Sequence, residues 1–301
     1  MSNIPNLFII GAPKTGTTAL ANSISQHDEI FISKLKEPTY FDARTFYDFK
    51  EDYPIKSLDK YLDYFSAYEA NNSKYKLDAS VFNMYSEKSI NEILNLSPDA
   101  KFIILLRDPV DASVSMHKQR LKYPSGRMRE LSNDFMECWR MLPDRKSGKK
   151  FPKNCRNRFL FRYDLLYSYE KYIPYLLLKI QPENLFIGCY DEYKNDPILF
   201  FKSLFKFLGI KAIQVDNSIY NESYIVKKSY LLATLQFFYK MVSPTIRKFY
   251  YLNDSLFSLK KSILNYYKIK NKNKNKVNDL SEVKAYFKNT YKYMERIKGS
   301  K

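Results

Sequence analysis

Residues 11 to 18 read Gly11-Ala12-Pro13-Lys14-Thr15-Gly16-Thr17-Thr18 and follow directly on the apolar run Leu7 to Ile10. These are the ingredients of an anion cradle. Backbone amides gather where a helix starts, Thr15, Thr17 and Thr18 bring hydroxyls, and Lys14 brings a cation. The glycine spacing matches the triphosphate loop G-x-x-x-x-G-K-[ST], but Thr17 stands where that loop has its lysine, and Lys14 comes three positions earlier. The grip on a terminal phosphate is therefore missing, and what is left suits a 5′-phosphate carrying a transferable group. A plain strand-to-helix turn would use glycine for its backbone angles alone and would need neither the threonine cluster nor the lysine.

A second candidate grip lies in Ile104-Leu105-Leu106-Arg107-Asp108-Pro109-Val110-Asp111-Ala112-Ser113-Val114-Ser115. At the mouth of a buried strand, Arg107 offers a rigid fork of donors. Ser115 lies about two helical turns further along. Taken alone, Arg107 would serve equally in a surface ion pair with Asp108 or Asp111. Asp78, in Tyr75-Lys76-Leu77-Asp78-Ala79-Ser80, follows another expected strand and is a candidate base, because ligands of open α/β sheets gather at the carboxyl ends of strands. His27 and His117 are the only histidines. His117 is two residues beyond Ser115 and faces away from it, so it is expected to pack or to sit at the surface.

The elements that must position these residues alternate. Leu7 to Ile10, Lys101 to Leu106 and Asn184 to Tyr190 read as strands buried on both faces, with a weaker strand at Tyr75 to Asp78. Helices are expected after Gly16, ending at His27-Asp28, and at Glu87 to Leu96. Two more are expected from Pro109 to about Gln119 and from Pro197 to Leu208, closed by Gly209. Strand and helix in alternation predict a doubly wound α/β fold with a mainly parallel sheet. The poorly periodic stretch 120–160 is expected to be an acceptor-side insertion with short helices or a lid. From Lys227 onward the chain reads as a helical, basic C-terminal region, with Tyr230 to Val242 as a buried helix and Leu280 to Ile297 as the last one. A single domain over 1–301 is the expected organisation.

Composition bounds the rest. The chain has 301 residues, 45% of them hydrophobic and 17% aromatic, with 7 glycines, which excludes global disorder and low-complexity architecture. Fifty Lys and Arg against 32 Asp and Glu give a net charge of +18, which draws anions to the surface. Eight basic residues fall between Arg145 and Arg162, near Phe135 and Trp139, and suit either a solvated face or a groove for an anionic acceptor. The Lys/Asn tract Lys268 to Lys276 is expected to be a solvated linker. Three cysteines, at 138, 155 and 189, support neither a disulfide framework nor a zinc site and suit a reducing, cytoplasmic setting. The N-terminal apolar run is too short and too little basic for an export signal, and no run is long enough to cross a bilayer.

With these residues in place, GAPKTGTT followed by Lys36-Glu37-Pro38-Thr39-Tyr40-Phe41 resembles the PAPS-dependent sulfotransferases, and nearer their carbohydrate and bacterial branches than the branch acting on phenols and steroids. The resemblance covers most of residues 5 to 210 and implies a P-loop-like three-layer fold with a helical C-terminal extension. It implies that Lys14, Thr15, Gly16, Thr17 and Thr18 hold the 5′-phosphosulfate of 3′-phosphoadenosine 5′-phosphosulfate, and that Arg107 and Ser115 grip the 3′-phosphate. Lys14 then meets the charge developing on the leaving phosphate. Glu37 is the base that the resemblance implies, Lys36 steadies the same site, and Asp78 is the rival. The implied reaction moves a sulfuryl group to a hydroxyl or amine of a carbohydrate or other small acceptor, with no metal, no nucleic-acid partner and no transmembrane segment. The basic-glycine segment expected near the adenine is not evident, and Lys227-Lys228 is a substitute for it only in charge. Two other functions fit the residues: a catalytically silent polyanion-binding protein, and an atypical P-loop kinase, against which the missing loop lysine argues.

Overall fold

The computed structural model describes residues 3–123, 126–216, 224–226, 268–270 and 279–299. Five strands form one parallel sheet: β1 (Leu7–Gly11), β2 (Ile30–Ile32), β3 (Tyr75–Asp78), β4 (Lys101–Leu106) and β5 (Leu185–Cys189), in the order β2-β3-β1-β4-β5. All five residues of β1 are buried, the continuous apolar pattern of a strand covered on both faces. Its side chains alternate between two cores: Phe8 and Ile10 join one, Leu7 and Ile9 the other. On β4, Phe102, Ile104 and Leu106 alternate in the same way with Ile103 and Leu105.

The smaller core is closed by α1 (Thr17–Ile24), through Leu20 and Ile24, and by the most C-terminal helix of the sheet region, Pro197–Leu208. Its end is set by Gly209 in the left-handed conformation at φ 61, as the sequence predicts. The larger core lies on the opposite face. It takes in α2 (Tyr40–Phe46), α3 (Leu58–Leu62), α5 (Glu87–Leu96) and α6 (Pro109–Leu121), while α4 (Tyr68–Asn72) lies beside β2. The result is the expected three-layer α/β architecture.

The stretch 120–160 holds α7 (Phe135–Arg140) and α8 (Leu142–Lys146), followed by α9 (Tyr163–Leu166) and α10 (Ile173–Lys179). The sequence had signalled β2, α2 to α4, α9 and α10 poorly, since they are three to seven residues long and too short to show a period. After β5 come α11 (Tyr190–Asn195) and α12 (Pro197–Leu208). The last expected helix is two: α13 (Ser281–Tyr286) and α14 (Lys288–Gly299). Trp139 packs against Tyr286 and Phe287 at 5.4 and 5.7 Å, which ties this end of the chain to the insertion.

The chain divides into two compact units, 1–220 with 277–301, and 221–276. In the second, β6 (Tyr224–Val226) and β7 (Lys268–Lys270) pair antiparallel. The first three residues of the Lys/Asn tract, Lys268–Lys270, are thus a strand rather than part of the linker expected. Lys227-Lys228, Tyr230 to Val242 and the remainder of the tract lie outside the described residues.

Candidate active site

The loop that follows β1 is shaped by two glycines. A Cβ on Gly11 would fall 1.8 Å from the Met84 sulfur, so only glycine lets the strand end there. Gly16 has φ 98, and a Cβ on it would meet the Tyr190 ring at 2.9 Å. Gly16 is also the N-cap of α1, with no side chain capping the helix, so the first-turn amides stay available. The hydroxyl of Thr15 donates to the Ala12 carbonyl at 2.7 Å, and Thr15 is fully buried. The Thr15 hydroxyl, expected to face a ligand, is thus engaged in closing the loop. Thr17 is buried and Thr18 exposed at the start of α1.

Adjacent pairing of β1 and β4 brings Arg107 to the loop. Its Nη1 donates to the Lys14 carbonyl at 3.3 Å, and its guanidinium lies 4.8 Å over the Tyr190 ring. The Tyr169 hydroxyl donates to the Arg107 carbonyl at 3.1 Å, and the Tyr167 hydroxyl donates to the Pro13 carbonyl at 3.3 Å, so neighbouring tyrosines brace both elements. The ion pair weighed from the sequence does exist, with Asp111 at 3.4 Å, but Asp111 is 66% exposed, where such a pair is weak. Asp108 is otherwise engaged: it accepts the Asp111 amide as cap of α6 and the Tyr291 hydroxyl of α14, both at 2.9 Å. Arg107 Nε is buried with no hydrogen-bond partner. Ser115 is half-buried on α6.

Lys14 sits in a field of like charge. Burial pushes its ammonium down to about 8, with Lys122, Arg120 and Arg107 adding to the depression and Glu37 opposing it. Glu37 pairs with Lys36 and is 36% exposed. The segment bearing it is pinned to the end of β3, where the Ala79 amide donates to the Lys36 carbonyl at 3.2 Å and the Thr39 amide donates to Ser80 Oγ at 2.9 Å. Asp78 is fully buried with both oxygens occupied, one by the Tyr61 hydroxyl at 2.7 Å and the other by the Ser80 amide at 2.8 Å. Burial raises its carboxyl above the ordinary range, and that of buried Asp42 further. Of the two carboxylates at this sheet edge, Glu37 is the accessible one, and Asp78 holds the residue on which Glu37's segment rests.

The basic run from Arg145 to Arg162 is mostly spent on structure. Arg145 reaches Glu130 with both arms, at 2.8 and 2.7 Å, and both side chains are completely buried. Lys150 pairs with Asp144, Arg156 with Asp52, Arg158 with Asp48 and Arg162 with Asp164. His117 is buried against Phe135 with Nε2 at the Ser132 carbonyl, a packing residue as expected. All three cysteines are buried, and none is in a disulfide. Among the described residues no cluster of three His, Cys, Asp or Glu is placed to hold a metal, and no helix is long and apolar enough to cross a membrane. Sequence reasoning missed Tyr190, Tyr167, Tyr169 and Arg120. Tyr190 alone carried a signal, as the residue directly after a strand's carboxyl end.

The family model described as sulfotransferase domain matches residues 5–248. Heparan sulfate N-deacetylase/N-sulfotransferase 3 of Homo sapiens, a bifunctional enzyme, is 26% identical over 208 residues, covering 69% of this chain and 22% of that one. The corresponding enzyme 4 of Mus musculus is 30% identical over 118 residues, covering 39% and 13%. The chain thus spans less than a quarter of the length of these relatives. Among solved structures, a sulfotransferase from Alicyclobacillus acidocaldarius superposes with a TM-score of 0.61 at 25% identity, over 78% of this chain and 91% of that one.

Proposed function

The chain belongs to the sulfotransferase domain family, and from that premise we propose that it moves a sulfuryl group from 3′-phosphoadenosine 5′-phosphosulfate to a hydroxyl or amine of a carbohydrate acceptor. The observation that carries this reading is the hydrogen bond from Arg107 to the Lys14 carbonyl, since it makes one site of two anion-binding elements. The residues fit such a nucleotide. Arg107 Nε is a buried donor without a partner, and Lys14 is a half-buried cation crowded by others, so each gains from a bound anion.

Lys14 and the amides of Thr15, Gly16, Thr17 and Thr18 would hold the 5′ end, with the Thr17 and Thr18 hydroxyls; Arg107 and Ser115 would hold the 3′-phosphate. The bound nucleotide supplies a phosphate-sulfate anhydride as the sulfuryl source. Lys14 stabilises negative charge at the departing phosphate oxygen, in a setting where burial strengthens the interaction. Glu37 takes the proton from the acceptor hydroxyl or amine, and Lys36 orients that carboxylate. The heparan sulfate in the relatives' names supports a glycan acceptor, and three buried cysteines outside any disulfide support a reducing, cytoplasmic location.

The test is transfer of label from the sulfated nucleotide to N-desulfated heparin and to a panel of neutral sugars, alongside binding of adenosine 3′,5′-bisphosphate and ATP. Tight binding of the bisphosphate, weak binding of ATP and labelled glycan are expected. Equal affinity for ATP, or no transfer to any acceptor, refutes the proposal.

A further inference from the structure

One arginine of the site region has no structural explanation. Arg120, near the end of α6, is 3% exposed, and its Nε and Nη1 are buried without a hydrogen-bond acceptor. Among the described residues no carboxylate pairs with it; its visible companion is the Tyr123 ring, 5.0 Å from the guanidinium carbon. Met116 and Ala112, one and two turns before it on the inward face of α6, are 2% and 0% exposed, so the pattern there is apolar until Arg120 interrupts it.

Arg145 shows how this fold treats an arginine that serves structure alone. It is equally buried, yet Glu130 takes two of its nitrogens, and the carbonyls of Phe161 and Lys150 accept at 2.9 and 3.2 Å. A guanidinium keeps its charge at any accessible pH, so burying one without acceptors is costly unless an anion arrives to use the donors. The charge of Arg120 acts on the Lys14 ammonium and on the Tyr167 hydroxyl, the group that ties down Pro13 of the loop.

We propose that Arg120 binds an oxyanion, a sulfonate or a carboxylate, beside Lys14 at the transfer end of the loop. The proposal rests on the sulfotransferase reading for the identity of the oxyanion, which has two sources: the sulfonate of the nucleotide, or an acidic group on the acceptor next to the reacting atom. In either case the planar fork of Arg120 supplies two parallel donors that a lysine does not offer.

The experiment compares the full chain with Arg120→Met, which fills the same volume without charge, and with Arg120→Gln should the first fail to fold. If Arg120 serves the sulfonate, adenosine 3′,5′-bisphosphate binds within about twofold of the parent while the sulfated nucleotide binds about tenfold or more weakly. If it serves the acceptor, both nucleotides bind unchanged while the bisphosphate-loaded variant loses about tenfold or more in affinity for N-desulfated heparin. Equal weakening of both nucleotides overturns the proposal, because Arg120 would then act on the nucleotide body or on loop shape. Unchanged binding of all three ligands also overturns it. A separate arm uses inorganic sulfate: the sulfate-dependent rise in Tm should fall by half or more in the variant, and an undiminished rise counts against Arg120. Should the unaltered protein ignore the bisphosphate, the sulfotransferase reading fails while the sulfate arm still decides Arg120.

Discussion

Replacing Arg107 with alanine separates the contacts its side chain makes within the protein from the phosphate grip proposed for it. Within the protein it makes a long bond to the Lys14 carbonyl at 3.3 Å, a pair with exposed Asp111 at 3.4 Å, and a stacking contact with Tyr190 at 4.8 Å. Together these contribute about 1–2 kcal/mol, most of it from the carbonyl bond and the ring. Toward a 3′-phosphate it offers charge-assisted bonds of about 1.5–3 kcal/mol each. Loss of two of them raises the dissociation constant of adenosine 3′,5′-bisphosphate by roughly two to three orders of magnitude. The informative quantity is the ratio to adenosine 5′-monophosphate, which lacks the 3′-phosphate and reports only the state of the loop. Titration calorimetry on both proteins with both ligands gives a cycle in which the bisphosphate loses roughly a hundredfold or more and the monophosphate about threefold or less. Equal losses for the two nucleotides would falsify the assignment, because Arg107 would then be acting through Lys14 and not on a phosphate of its own.

Glu37→Gln is expected to lower the rate of a single turnover by about 10²–10⁴ while leaving bisphosphate affinity in place, and a rate near that of the parent moves the base elsewhere. Lys14, held down to about 8 by burial and by the cations around it, loses its charge in the free protein as pH rises through that value. Bound phosphates favour the ammonium, so bisphosphate binding at pH 9 takes up a proton, and affinity declines from pH 8 to 9 but not from 6 to 7; calorimetry in buffers of different ionisation enthalpy measures the uptake, and Lys14→Arg should abolish it. The same depression makes the folded state release this proton before the unfolded state does, so ligand-free stability gains from it between about 8 and the ordinary lysine value. Gly16→Ala puts a Cβ at φ 98 against the Tyr190 ring, and bisphosphate affinity should drop about tenfold or more with the far-ultraviolet spectrum unchanged. Glu130→Gln strands the buried Arg145 charge and should cost about 3–5 kcal/mol in urea unfolding, whereas exchanging both partners for apolar residues should cost far less.

The middle of the sheet was legible because β1, β3 and β4 are buried on both sides. Lys101–Leu106 and Tyr75–Asp78 appear in the structure with the bounds read from their apolar runs, and the helices Thr17–Ile24 and Pro197–Leu208 follow from glycine and proline at their ends. The loop and Arg107 were legible for a related reason, since glycine, lysine and hydroxyl spacing is a local property that leaves a mark in consecutive residues. What stayed hidden was anything decided by distant segments. The Thr15 hydroxyl reads as a ligand donor until Ala12 is seen to accept it. Arg145 and its neighbours read as a basic groove until the acids that neutralise them arrive from residues 48, 52 and 130, as much as about a hundred positions away. Tyr167 and Tyr169 lie in turns too short to carry a period, yet they brace the loop and the arginine.

These pairings bear on where the function resides. The chain's surplus of cations is large, but a positive charge is informative about a ligand only when the fold has not already supplied its anion. By that criterion Arg145, Arg156, Arg158 and Arg162 drop out, since each has a carboxylate. Lys14, with its ammonium held down by burial and by the cations around it, and Arg120, with its buried Nε and Nη1 unused, stand on the other side of the line. Arg107 lies close to them, because its carboxylate partner is largely in water and one of its nitrogens has none. Arg107 and Arg120 both act on the Lys14 ammonium, so the loop gathers like charge that the fold itself does not neutralise, and the polyanionic nucleotide proposed for it would relieve all three cations at once. On that proposal, binding would stabilise the fold through the same residues that would stabilise the leaving group, and the unsatisfied charges would lie around the loop after β1 and not along the basic run whose sequence first drew attention.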